Sequence, residues 1–339
     1  MSTEIPKTIK AIQVDKAGGP EVNVLREIPT PVPKDDELLI KVEWTGVNYI
    51  DNYFRSGLYP KQFPYTVGQD AVGIVVTLPK NTSTSSVKIN IGDKVWTTAG
   101  NSFAEYLVAP RDRIALLPKE IDSKDGVSLA TQGLTALYLL KESYPAKKGD
   151  WVLVRSAAGG VGLILTQIAK HFSVNVIATV SSESKVELVK QNGADHVLLS
   201  SDSSESNIKK ILELTGGEGV HGVYDGVGKD TWEENFEIVR RKGTIVTYGN
   251  ASGPVPEFSP LRLSAKALKV TRPTLFAIVK TQQEWDEYTS ELVEITKKAN
   301  IKYAVHKIYN FTAEDVAQAQ RDISSRGTTG KLLIKVSSE

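Results

Sequence analysis

The 339-residue chain contains no cysteine. That absence excludes disulfides, thiolate metal ligands, iron–sulfur clusters and a cysteine nucleophile. Histidine is scarce: His171, His196, His221 and His306 are scattered along the sequence, and each reads as a surface or helix residue rather than a metal ligand. Neither charge dominates, because 41 Lys and Arg against 40 Asp and Glu leave a formal net charge of +1. Such a balance argues against a broad basic face for nucleic acid. No uninterrupted apolar run reaches the roughly 18 residues of a membrane span. The opening MSTEIPKTIK has neither the apolar core of a signal peptide nor the Arg-rich character of a transit peptide. The expectation is a cytoplasmic protein with no membrane association.

What is present divides into two patterns. From Lys10 to about Arg113 the segments AIQVD, ELLIKVEW, AVGIVVTL, DKVWTT and EYLVAP are short and strand-like, broken by Gly, Pro and Asp turns. Between Lys124 and Lys141, Val127, Leu129, Ala130, Leu134, Leu137 and Leu140 take helical spacing. From WVLVRS onward strands and helices alternate through TIVTYG, which means a doubly wound parallel sheet with right-handed crossovers. After Ser264 come a strand at KVTRP, a long amphipathic helix around Trp285 to Lys298, and a last strand, LLIKV, expected to return to the N-terminal region.

Within the alternation, WVLVRSAAGGVG runs an apolar strand into a glycine cluster, and the helix LILTQIAKHF follows. Gly159, Gly160 and Gly162 allow a sharp turn and a close backbone approach, and the helix N-terminus offers free amides to phosphate. In such a fold the end of the second strand meets the adenosine ribose, where a carboxylate favours NAD. Here VNVIATV is followed by Ser181, Ser182, Glu183, Ser184 and Lys185, with no carboxylate at the strand's last position. Two hydroxyls and a lysine suit a 2′-phosphate and point to NADPH. Two readings compete with this. Glu183 swung onto the ribose would admit NADH, and the segment also has the composition of a solvated helix N-cap.

The stretches GVNYIDNYFRSGLYP, QGLTALYLL, AAGGVG, DGVGKDTW, YGNASGPV, TRPTLF and SRGTTGK closely resemble quinone oxidoreductases, the zeta-crystallin-like branch of the zinc-independent medium-chain dehydrogenase/reductases. The likeness spans nearly the whole chain in order. It implies an α/β protein: a β-rich GroES-like catalytic domain over 1–125, a Rossmann NADPH-binding domain over 126–265, and a segment over 266–339 that completes the Rossmann edge and returns to the catalytic domain. It also implies a homodimer.

Carried over residue by residue, the resemblance makes Asn48 and Tyr53 a loop over the nicotinamide side and puts Thr135 at the nicotinamide or its ribose. Gly159, Gly160 and Val161 become the pyrophosphate turn, and Ser181, Ser182 and Lys185 the 2′-phosphate site. Gly249, Asn250, Ala251 and Ser252 would line the nicotinamide, with Thr274 to Phe276 as a second lining and Arg326 reaching the cofactor from the C-terminal segment. Relatives often carry a tyrosine near the adenine where this chain has Ser200. Metal-dependent members of the superfamily place a cysteine where Asn48 stands and a GHE triplet where Gly68, Gln69 and Asp70 stand, so no metal is expected. Tyr53 and Tyr59 are candidate hydroxyls toward an electron-poor acceptor, with Asn48 and Asp51 shaping their loop. The implied activity is NADPH-dependent quinone reduction. An NADPH-dependent enone or alkenal reductase is the alternative, and AU-rich RNA binding is a reading of another class, with Lys147–Lys148, Arg240–Lys242 and Lys297–Lys298 as its short basic clusters.

Overall fold

The apolar run Trp151–Val154 lies inside a six-stranded sheet, covered on both faces as its composition demands. The computed structural model describes residues 4–80 and 87–337. It divides into two compact units, one of residues 132–279 and 294–304, the other holding the remainder.

In the first of these units every strand pairing is parallel. The spatial order is His196–Leu199, Asn175–Val180, Trp151–Val154, Val220–Asp225, Val239–Thr247 and Lys269–Thr271. Sequence order reverses at Trp151–Val154, whose neighbours are the next strand on one side and the fourth on the other. At such a reversal the loops leaving the carboxyl ends of the strands diverge and open a crevice. Helices Gly160–His171, Val186–Gln191, Ser204–Leu214 and Trp232–Ile238 make the crossovers. The core on one face joins Leu153, Ile177, Val223 and Ile245 to Trp232 and Phe236.

The other unit is built on the long strand Glu37–Val47. Its first half pairs with Tyr106–Pro110, its last four residues pair with the C-terminal strand Lys331–Lys335, and Asp70–Thr77 runs along its opposite edge. The chain's end is thereby locked beside residues nearly 300 positions earlier, through Ile334 opposite Thr45 and Leu332 opposite Val47. Ile12, Val47, Val67, Phe103, Leu332 and Ile334 share one core. A smaller sheet sets Thr8–Val14 between Val24–Pro29 and Tyr65–Thr66.

The helical stretch expected over Lys124–Lys141 is not one regular helix. Helices Ser123–Ser128 and Leu134–Tyr138 are each followed by a π-helical turn, Leu129–Gly133 and Leu139–Ser143. Each π turn inserts a residue and rotates the stripe. Val127, Leu129, Ala130, Leu134, Leu137 and Leu140 are all buried nonetheless. Among the described residues no helix is long and apolar enough to cross a membrane.

Candidate active site

The glycine turn follows from one close contact. A Cβ on Gly162 would lie 2.6 Å from Ala157 Cα and 2.8 Å from Ala157 C and O. These are backbone atoms, so no side-chain rotation relieves the clash. Ala157 is itself tied down, because its N–H donates to Thr179 O at 2.9 Å. Strand, turn and helix therefore meet at a distance only glycine allows. The conditions at Gly159 and Gly160 are softer: a Cβ on Gly159 would meet Ser156 O at 3.3 Å, and one on Gly160 would meet the movable end of Gln132. Helix Gly160–His171 begins from extended Gly159 with no side chain capping it. Its first amides and the positive end of its dipole face the turn, an arrangement suited to a phosphate group. Val161 is half-buried on that first turn, and Thr135 is buried on the short helix Leu134–Tyr138.

At the end of Asn175–Val180, Lys185 Nζ donates to Ser181 Oγ at 3.0 Å. Ser182 Oγ lies 2.9 Å from Ser184 Oγ and caps no helix amide. Lys185 is buried at 8% exposure, and burial holds its ammonium below the usual lysine range, while Ser181 and Ser184 on the same turn are exposed. Glu183 is exposed on the same turn. Ser200 follows strand His196–Leu199, is exposed, and its N–H donates to Val180 O at 2.8 Å.

A network invisible in the sequence braces the next loop. Asp225, fully buried at the end of Val220–Asp225, accepts from the N–H groups of Val227 at 2.7 Å and Gly228 at 3.1 Å through Oδ1. Its Oδ2 accepts from Thr231 Oγ1 and Asn235 Nδ2, both at 2.6 Å. Asn235 Oδ1 in turn accepts from Arg155 at 2.9 Å, and Arg155 pairs with Glu234 at 2.7 Å. Arg155 leads into the glycine turn, so one polar chain ties two strand ends together. The segment Gly249–Ser252 runs against residues 226–228: Ala251 N–H donates to Gly226 O at 3.2 Å, and Ser252 N–H to Val227 O at 2.8 Å. Arg272 adds bonds to Thr247 Oγ1 and Gly249 O, both at 3.1 Å. Phe276 is 38% exposed on the short helix Leu275–Ile278.

In the other unit Asn48 starts helix Tyr49–Ser56, and its N–H donates to Asp51 Oδ2 at 2.7 Å as part of a capping box. Burial pushes the Asp51 carboxyl up to about 8, and nearby Asp70 adds to the rise. The Asn48 N–H bond and Lys331 oppose it. Lys331 and Asp70 are fully buried, with Lys331 Nζ 2.9 Å from Asp70 Oδ2 and 2.8 Å from Asn48 Oδ1. Gln69 Nε2 donates to Thr98 O at 2.8 Å. Tyr53 and Tyr59 pack on one another with ring centroids 5.1 Å apart, and both are half-buried. Arg326 is exposed, with a left-handed φ of 62°. A cavity of about 20 Å³ sits among Asp51, Phe54, Lys61, Tyr65, Gln69 and Asn101. That is room for about one water.

Residues 160–294 match the zinc-binding dehydrogenase family, and residues 34–119 match the alcohol dehydrogenase GroES-like domain. A protein of Schizosaccharomyces pombe named probable quinone oxidoreductase is 36% identical over 326 residues, 95% of this chain and 96% of that one. The chain belongs to the quinone oxidoreductase family. The family also explains two solved neighbours. A mycobacterial protein crystallised with NADPH superimposes with a TM-score of 0.93 at 40% identity, over 96% of this chain and all of that one. Escherichia coli quinone oxidoreductase, also crystallised with NADPH, gives 0.90 at 33% identity over the same shares. A 2-haloacrylate reductase of a Burkholderia species is 30% identical over 337 residues, 96% of this chain and 98% of that one.

The name of the matching dehydrogenase family raises zinc, and the donor set does not fit it. Zinc takes three or four nitrogen, sulfur or carboxylate ligands. Here the Gln69 amide nitrogen is turned onto Thr98 O, while Asn48 Oδ1 and Asp70 both face the Lys331 ammonium. Among the described residues no group of three or more His, Cys, Asp or Glu could hold a metal. Sequence reasoning named Asn48, Gln69 and Asp70 but missed Asp225, and it missed Lys331 and Arg155, whose partners are distant in the chain. A lysine or arginine inside an otherwise apolar strand, as in GKLLIKV or WVLVRS, was the available signal.

Proposed function

We propose that this protein reduces quinones at the expense of NADPH. The observation that carries the reading is the buried Lys185 held against Ser181 where the adenosine ribose of a dinucleotide fold lies. A buried ammonium beside hydroxyls at that place is a receptor for a 2′-phosphate. Two charge-assisted bonds of about 1.5 to 3 kcal/mol each favour NADPH over NADH by roughly 10²- to 10⁴-fold. When bound, NADPH supplies a hydride from its nicotinamide C4 to an electron-poor acceptor.

The chain's own residues bind and orient. Gly159, Gly160 and Val161 present backbone amides to the pyrophosphate, and Gly162 sets their distance from the strand. Thr135, Gly249 to Ser252, Phe276, Ser200 and Arg326 serve as further cofactor contacts, and Asn48, Tyr53 and Tyr59 serve the acceptor. With no Lewis acid to polarise it, the acceptor must bring its own electrophilicity, as quinones do. Activated enones share this property, and the relative named 2-haloacrylate reductase favours them as the second reading. RNA receives no comparable support, because Arg240 is paired with Glu218 and Lys298 with Glu294. We also propose a homodimer, which sedimentation of the purified protein checks.

The test is NADPH oxidation across quinones and small enones, with NADH as competitor and Lys185→Ala as control. Quinones should be turned over fastest, and the variant should lose about 10- to 100-fold in NADPH affinity while NADH is unaffected. Unchanged NADPH affinity in Lys185→Ala refutes the assignment of the site.

A further inference from the structure

We propose that Lys331 is a positioning residue whose buried ammonium, anchored by Asp70, holds the side-chain amide of Asn48 in one orientation. The proposal rests on the reading that Asn48 serves the reaction.

Three observations support it. Lys331 and Asp70 are both fully buried and 2.9 Å apart, a pair that desolvation makes expensive and that apolar residues of similar volume often replace without loss of stability. Stability is therefore a weak reason for the charges to be there. The passage is built for this lysine, since a Cβ on Gly46 would fall 2.1 Å from Lys331 Cε, 2.5 Å from Nζ and 2.6 Å from Asp70 Oδ1. Finally, an ammonium only donates, so it distinguishes the two ends of an amide. Asn48 Oδ1 accepts from Lys331 at 2.8 Å, while Nδ2 is turned to Gly46 O at 3.3 Å. Rotating the amide by a half-turn would set NH2 against NH3+ and abandon the bond to Gly46. One Nδ2 hydrogen remains beyond that bond, pointing where the lysine has fixed it. The Asn48 N–H donates to Asp51 Oδ2 at 2.7 Å, which fixes the backbone at the same place.

Lys331→Met alone strands the buried Asp70 charge and risks unfolding, so the informative variant is Lys331→Met/Asp70→Asn, which removes both charges. The protein is labelled with 15N-asparagine, and the Asn48 side-chain signals are identified by their loss in Asn48→Asp. The expected result is a melting temperature near wild type, displaced or broadened Asn48 side-chain signals, a fall in kcat of about 10-fold or more, and a KM for NADPH within twofold. Asn48 signals that stay in place overturn the proposal, as does an active double variant with kcat within twofold of wild type. A wild-type protein that oxidises no NADPH with any quinone defeats the functional reading alone, because the Asn48 signals still decide what Lys331 does.

Discussion

Gly162→Ala separates the geometric account of the glycine turn from a generic one. On propensity alone, alanine in a helix gains about 1 kcal/mol over glycine, so the substitution should stabilise the protein. The structure predicts the opposite. The new methyl would sit 2.6 to 2.8 Å from three backbone atoms of Ala157, where ordinary contact begins near 3.4 Å. Relief needs a relative shift of roughly 0.6 to 0.8 Å between turn and helix, against Ala157, which Thr179 O anchors. Overpacking of this kind typically costs about 1 to 3 kcal/mol, which outweighs the propensity gain. The same shift displaces the amides proposed for the pyrophosphate, so NADPH affinity should fall about 10-fold or more. Titration by nucleotide fluorescence and thermal melting measures both effects. Gly159→Ala is the internal control, because its Cβ meets only Ser156 O at 3.3 Å and both effects should be smaller. A more stable Gly162→Ala with unchanged NADPH affinity would refute the reasoning.

Asp51→Asn tests the buried carboxyl. Its native value of about 8 lies above the unfolded value near 3.9, so its stabilising contribution is complete below about 3.9 and is lost as pH rises through about 8. Between those limits wild type should lose stability relative to the variant by about 1.4 kcal/mol per pH unit, and parallel urea midpoints from pH 5 to 8 would contradict this. Asp225→Ala strands two backbone N–H groups, a threonine hydroxyl and the Asn235 amide, so it should cost on the order of 3 to 5 kcal/mol by urea denaturation, and a loss under 1 kcal/mol would show that the network is dispensable. Tyr53→Phe should lower kcat more than twofold with KM for NADPH unchanged, and a smaller fall removes its hydroxyl from the acceptor chemistry.

The alternation of strand and helix fixes much of the parallel sheet locally, because buried strands, helix faces and glycine turns each carry their own period. The pairing of Ser181 with Lys185, proposed above as a 2′-phosphate site, was legible for the same reason: they are four residues apart, and one turn of chain brings them to 3.0 Å. The π turns around Leu134–Tyr138 were not legible, since the apolar stripe still reads as helix and only packing selects the extra residue. Nor was the placement of Lys331, whose partners Asn48 and Asp70 lie 283 and 261 residues away.

Sequence alone determined what local chemistry can write: the absence of thiols, the glycine turn, the missing carboxylate after VNVIATV, and the replacement of metal-ligand residue types at Asn48 and Gln69. Tertiary structure decided what stands opposite those residues. Pairing of Lys331–Lys335 with Glu37–Val47 carries a lysine into a fully dry space beside Gly46, and the folding of Asp70–Thr77 along the same strand supplies its counter-charge. A charge survives there only because its partner arrives from another part of the chain, and no reading of neighbouring residues contains that meeting.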